Sequence, residues 1–172
     1  MSEVTKDSDL RNSRLTFYEQ DVEKIDKVME EFLKLSKAKC ALLVDKDGHM
    51  ITRVGGDVGI NQDTVSALVA GCFAATKEMA KLLGEEEFSA LYHQGESDNI
   101  QISLVGDRTI LTVIFDDSTT LGMVRLYVAE TLGKLYNIFQ EADERQKGEG
   151  DRPIDSEYSE SAKGALDSIF DK

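Results

Sequence analysis

The chain is short of cysteine, of proline and of positive charge, and each shortage removes a class of function. Its cysteines are Cys40 and Cys72, one in a strand-like and one in a helix-like pattern. Their spacing suits neither a disulfide framework nor a zinc-ligand set, so both are expected as buried free thiols. Pro153 is the single proline. Lysine and arginine number 20 against 33 acids, a formal net charge of −13. A grip on nucleic-acid phosphates or anionic lipid needs clustered basic residues, so neither is an expected partner. The longest apolar runs, such as residues 110–115, fall well short of the roughly 20 residues that cross a bilayer. Residues 1–14 are polar, with no hydrophobic signal core, which points to the cytosol.

Motifs of catalysis are also missing. The cluster Gly55, Gly56, Gly59 has neither dinucleotide-binding spacing nor the lysine that cradles a triphosphate. Asp45-x-Asp47-Gly48 resembles part of a calcium loop, but Leu43 and Val54 stand where the first and last carboxylates belong, so it reads as a hairpin turn. His49 and His93 lack any cysteine, serine or carboxylate at a spacing that suggests a nucleophile's base or a metal ligand. Glu85, Glu86 and Glu87 follow a helix-ending glycine and read as a solvated connection. No active site, metal or cofactor is expected of this chain.

What is present is an apolar fraction of 41%, sufficient for one domain. Thr16 and Glu19 have capping-box spacing, and Tyr18, Val22, Ile25, Val28, Met29, Phe32 and Leu35 follow with helical period. Strands are expected at 40–44 and 49–54, joined by the turn Asp45-Lys46-Asp47-Gly48. A glycine loop at 55–60 leads to a long helix, 63–83, capped by Asn61 or Asp63 and closed by Gly84. Further strands are expected at 89–94, 100–105 and 109–115, then a helix capped by Ser118 or Thr119. Strands 41–44 and 110–115 are apolar on both faces, which requires cover above and below. The fold class is an α+β sandwich with a five-stranded antiparallel sheet, in the order helix-strand-strand-helix-strand-strand-strand-helix. The domain is expected over 15–142, after a disordered lead-in at 1–14. A linker follows at 143–156 and a helical partner-binding segment at 157–172, with Tyr158, Ala162, Leu166, Ile169 and Phe170 on one side.

The helix at 63–83 carries the main functional signal. At about 100° per residue, Val65, Leu68, Val69, Cys72, Thr76, Met79, Ala80 and Leu83 gather on one side, the side expected to cover the sheet. Opposite lie Ala67, Ala70, Gly71 and Ala74, with charge only later, at Lys77, Glu78 and Lys81. A solvated face in so charged a chain would carry Glu and Lys, and a mid-helix glycine costs about 0.5–1 kcal/mol. The alanine–glycine face is therefore expected to receive another backbone.

Several segments together carry a family resemblance: Ala41-Leu42-Leu43-Val44-Asp45-Lys46-Asp47-Gly48, Leu68-Val69-Ala70-Gly71, Ala74-Ala75, Ala80-Lys81-Leu82-Leu83-Gly84-Glu85 and Phe88. His93-Gln94-Gly95-Glu96, Val113-Ile114-Phe115-Asp116 and Leu121-Gly122-Met123-Val124-Arg125-Leu126 continue it. In this order, over residues 17–139, they resemble the roadblock family of dynein-light-chain-like domains. Residues 165–171 resemble the C-terminal segment of members that act on small Ras-like GTPases. The resemblance implies a homodimer, paired through a sheet edge and the second helix, whose two small-residue helices form a platform for the GTPase. Ala67, Ala70, Gly71, Ala74 and Glu78 are the implied contacts, with Glu78 where the family has a small residue. It further implies activation of GTP hydrolysis without an inserted arginine, so Arg53, Arg108 and Arg125 need no catalytic role. The C-terminal segment, anchored by Leu166, Ile169 and Phe170, is implied to promote nucleotide exchange. Cell polarity and motility are the implied setting, with placement at a cell pole through partners. The alternative is a scaffold that recruits polarity or motility proteins without affecting hydrolysis.

Overall fold

The structure, a computed structural model, describes residues 17–57, 59 and 61–150. The lead-in, Thr16 and the segment bearing Leu166, Ile169 and Phe170 lie outside the described residues.

Eight elements follow in the expected order: α1 (Glu19–Ser36), β1 (Cys40–Asp45), β2 (Met50–Gly55), α2 (Gln62–Leu82), β3 (Ala90–Gln94), β4 (Asn99–Val105), β5 (Thr109–Phe115) and α3 (Leu121–Gly150). The strands form one sheet ordered β2-β1-β5-β4-β3, every neighbouring pair antiparallel. β1 and β5 are thus central, as their two-sided apolar sequences require, and β2 and β3 are the edges. β5 is buried along its whole length.

Alternation divides the core in two. Cys40, Leu42, Val44 and Ile114 pack with Val65 of α2, and Ile102 and Ile110 pack with Val69 and Phe73 of α2. The intervening residues Ala41, Leu43, Leu111, Val113 and Phe115 are equally buried, and they face the opposite layer with Ile25, Met29 and Phe32 of α1 and Val124, Val128 and Leu135 of α3. A Glu31–Lys134 ion pair at 3.1 Å ties α1 to α3, and a Phe17–Phe139 ring contact at 5.3 Å joins the residues just before α1 to α3. This compact unit is Phe17–Phe139.

The β1–β2 turn is built by Asp45. Its Oδ1 accepts from the backbone N–H of Asp47 at 3.0 Å and of His49 at 2.8 Å, and Gly48 takes φ +92°. That carboxylate closes a hairpin, as the turn reading expects.

Three boundaries differ from the sequence reading. α1 begins at Glu19, where the Asp21 carboxylate accepts from the N–H of Tyr18 at 2.9 Å. Leu35, expected on the buried stripe of that helix, points outward. α3 is capped by Thr120, whose Oγ1 accepts from the N–H of Met123 at 3.2 Å, rather than by Ser118 or Thr119. It also continues through Gly150, into the stretch read as linker. Glu144, Arg145, Gln146 and Lys147 are strong helix formers, so a high charge density there does not end the helix.

Candidate functional site on the outer face of α2

α2 is fixed at both ends by its own sequence. Asn61 Oδ1 accepts from the N–H of Thr64 at 2.9 Å, satisfying one of the orphan donors of the first turn. At the other end Gly84 takes φ +77°, which lets its N–H bond the carbonyl of Lys81 at 3.2 Å and that of Glu85 the carbonyl of Ala80 at 3.0 Å. This pair of bonds closes the helix in a left-handed cap that glycine adopts without strain.

The buried residues of α2 are Ser66, Val69, Ala70, Phe73, Thr76 and Ala80. The expected stripe is therefore rotated. Leu68 is 66% exposed, Met79 53%, Leu82 87% and Leu83 72%, while Ala70, expected outside, is 7% exposed. The cause is close approach. A Cβ on Gly48 would meet the backbone of Ala67 at 3.2 Å and Ala70 Cβ at 3.7 Å, so the hairpin turn sits on these two alanines. Phe73, not the leucines, fills the space this leaves over β4 and β5.

The five candidate contacts are consequently of different kinds. Ala70 belongs to the core, and Ala67 is exposed but shares its surroundings with Gly48. Gly71 and Ala74 are exposed, and a Cβ on Gly71 would meet nothing within 4 Å. Glu78 is exposed and pairs with Lys81 at 2.6 Å, so its charge on the face is balanced locally.

Sequence reasoning missed the larger half of this surface. Leu68, Ala75, Met79 and Leu82 are all exposed on one flank of the helix. The side on which that flank lies is set by Cys72, which follows it around the helix and whose Sγ is 3.9 Å from His93 Nε2 on β3. The apolar flank thus leans toward the free sheet edge. On that edge Leu91 and His93 project to the α2 side, paired with Ile102 and Ile100 of β4. The other side of β3 is held by Tyr92, which stacks on Phe115 at 6.3 Å and donates its hydroxyl to Asn99 at 3.0 Å. Exposed leucine and methionine beside an unpaired strand is an association surface in physical terms. The signal for it was available, since Leu68, Ala75, Met79 and Leu82 recur at helical spacing, but the same spacing describes a core stripe.

A second concavity, open and about 760 Å³, lies between β2 and the start of α2, lined by Gly48, His49, Met50, Ile51, Thr52, Arg53, Gly55, Gln62 and Asp63. Its one arginine is committed internally: Arg53 Nε donates to Cys40 Sγ at 3.4 Å and its terminal nitrogen to the carbonyl of Gly56. Among the described residues no group of three or more His, Cys, Asp or Glu could hold a metal ion, and no helix is long and apolar enough to cross a membrane.

Comparison with known proteins agrees with this architecture. The roadblock/LC7 domain signature matches residues 24–115. MglB of Myxococcus xanthus is 38% identical, with a TM-score of 0.70 over 74% of this chain and 96% of that one. The gliding protein MglB of Thermus thermophilus is 34% identical, with a TM-score of 0.69 over the same shares, 74% and 96%. A roadblock/LC7 domain of Streptomyces avermitilis shares the fold at 17% identity and a TM-score of 0.61, over 67% of this chain and 97% of that one. An uncharacterized protein of Aquifex aeolicus is 21% identical over 131 residues, 75% of this chain and 81% of its own length. The chain belongs to the roadblock/LC7 family and is similar throughout its sandwich to the MglB proteins.

Proposed function

We propose that the protein is a homodimeric regulator of a small Ras-like GTPase of the MglA type, accelerating GTP hydrolysis in cell polarity and motility. The observation that carries this reading is the division of the outer face of α2 into two arcs. The Leu68, Ala75, Met79 and Leu82 arc leans toward β3 and suits a second copy, which would extend the sheet edge and cover the apolar flank. The arc of Ala67, Gly71, Ala74 and Glu78 remains outside that contact and, doubled by the second copy, forms a shallow platform for the GTPase. A stable dimer buries about 1,200–2,000 Å² in total, which one helix flank plus one strand per copy can supply. A further solved relative, 33% identical, is described as MglB with a tetrameric arrangement.

Such a regulator needs no catalytic residue of its own. Docking that holds the GTPase's water-positioning and charge-stabilising groups in place lowers the barrier by positioning and electrostatics. Arg53 is engaged with Cys40 and Gly56, which favours this route over an inserted arginine. We assign Leu166, Ile169 and Phe170 to a second contact that promotes exchange. The test is hydrolysis by an MglA-type GTPase from the same organism, with and without the protein added. Faster turnover supports activation, whereas capture of the GTPase at unchanged turnover assigns the same dimer to scaffolding.

A further inference from the structure

We propose that Cys72 and His93 are half of a tetrahedral metal site of the zinc class, completed by the same two residues of a second copy across the α2–β3 contact. The inference rests on the dimer reading above. Cys72 Sγ and His93 Nε2 are 3.9 Å apart, on elements separated in sequence but adjacent at the sheet edge. Thiolate and imidazole bound to one tetrahedral zinc, at about 2.3 and 2.0–2.1 Å, stand about 3.6 Å apart, so a small side-chain rotation brings this pair to ligating distance.

Cys72 is only half-buried and His93 is exposed, and among the described residues their contact with each other is the sole polar side-chain contact of either. Among the described residues one chain offers no third ligand nearby. Two-fold pairing supplies it. β3 is five residues long, so pairing centred on Tyr92 sets His93 diagonal to its equivalent in the second copy, about 7–8 Å away between backbones. Both histidines then project on the α2 side, where each Cys72 lies. Two thiolates and two neutral imidazoles form a closed site for zinc, a redox-inert ion that favours this soft, four-coordinate set. Binding releases one thiol proton per chain to solvent, and the two thiolates cancel the charge of the ion. The contact between two acidic chains then gains four bonds and no net charge.

The test is titration of the reduced, metal-stripped full chain with cobalt(II) chloride, followed by sedimentation. The expected result is the visible bands of tetrahedral cobalt and near-ultraviolet thiolate charge transfer, saturating at one ion per two chains and bleached by zinc chloride. The dimer dissociation constant should fall about tenfold or more on adding zinc, by mass action on the paired state. Cys72→Ser and His93→Asn should each remove both the bands and the tightening. A dimer without cobalt bands overturns the metal site and leaves the pairing intact. A chain that stays monomeric with and without metal overturns both. Bands that saturate at one ion per chain, or that survive His93→Asn, overturn the shared site.

Discussion

Ala70 and Ala74 are identical side chains one turn apart on α2, yet one is buried and the other exposed. Ala70 is covered by the β1–β2 turn and Ala74 is exposed. Ala70→Arg should therefore lower stability by about 3 kcal/mol or more, because it forces a charge and a long side chain into a packed position. Ala74→Arg should change the melting temperature by no more than a degree or two, as an exposed substitution within about 0.5 kcal/mol. Thermal melting of both checks the contrast. The sequence could not separate them, since small size serves close packing and close docking alike; the deciding group, Gly48, is remote in sequence. A titration effect also belongs here. The Asp116 carboxyl is held below the ordinary carboxylate range by hydrogen bonds from the hydroxyl and N–H of Ser118, with Lys39 at 3.9 Å adding to them. A group with a lowered folded pKa stabilises above its unfolded value and loses that contribution as pH falls through the folded one. Asp116→Asn should accordingly lower the melting temperature at neutral pH and converge with the parent in strong acid, the shift being small at a site only partly shielded from solvent.

At the scale of elements the sequence was most informative where chemistry punctuates it. Asn61, Gly84, Gly48 and the Gly106-Asp107 turn marked ends that fall within a residue or so of those observed, because each satisfies backbone groups in a way few residues do. β5 was legible throughout, since only a central strand tolerates apolar residues on both faces. The rotation of α2 was not, because leucine and methionine at helical spacing fit a core stripe and an exposed apolar flank alike, and here they are exposed. The reach of α3 was not legible either, because dense charge without an apolar stripe fits a linker and a solvated helix end alike. Asn61→Ala should cost about 1 kcal/mol in a denaturant midpoint at unchanged slope, with α2 still formed. A larger loss accompanied by a lower slope would mean that α2 depends on its cap more than on Val69 and Phe73.

For the whole molecule, charge sets the terms of assembly. Each copy carries a formal −13, so two copies repel at long range, and the proposed dimer would rest on apolar area and strand pairing rather than on net charge attraction. Dimerisation should accordingly tighten as salt is raised from about 0.05 to 0.5 M, since screening shortens the reach of the repulsion from a Debye length of about 14 Å to about 4 Å. Sedimentation across that series checks it; weakening with salt would indicate an interface held by ion pairs. Leu68→Glu with Met79→Glu should raise the dissociation constant by at least about tenfold, or about 1.4 kcal/mol, and leave each sandwich folded. Family membership and the sheet order follow from residues spread over the chain. The proposed division of α2 into a pairing arc and a docking arc depends on the three-dimensional placement of β3 beside it. That division is tested most directly by single-turnover GTP hydrolysis in the presence of Ala74→Arg, with dimerisation followed in parallel. The expected result is a dimer that folds normally and no longer accelerates hydrolysis; acceleration equal to that of the parent protein would contradict the assignment of the α2 face to the GTPase.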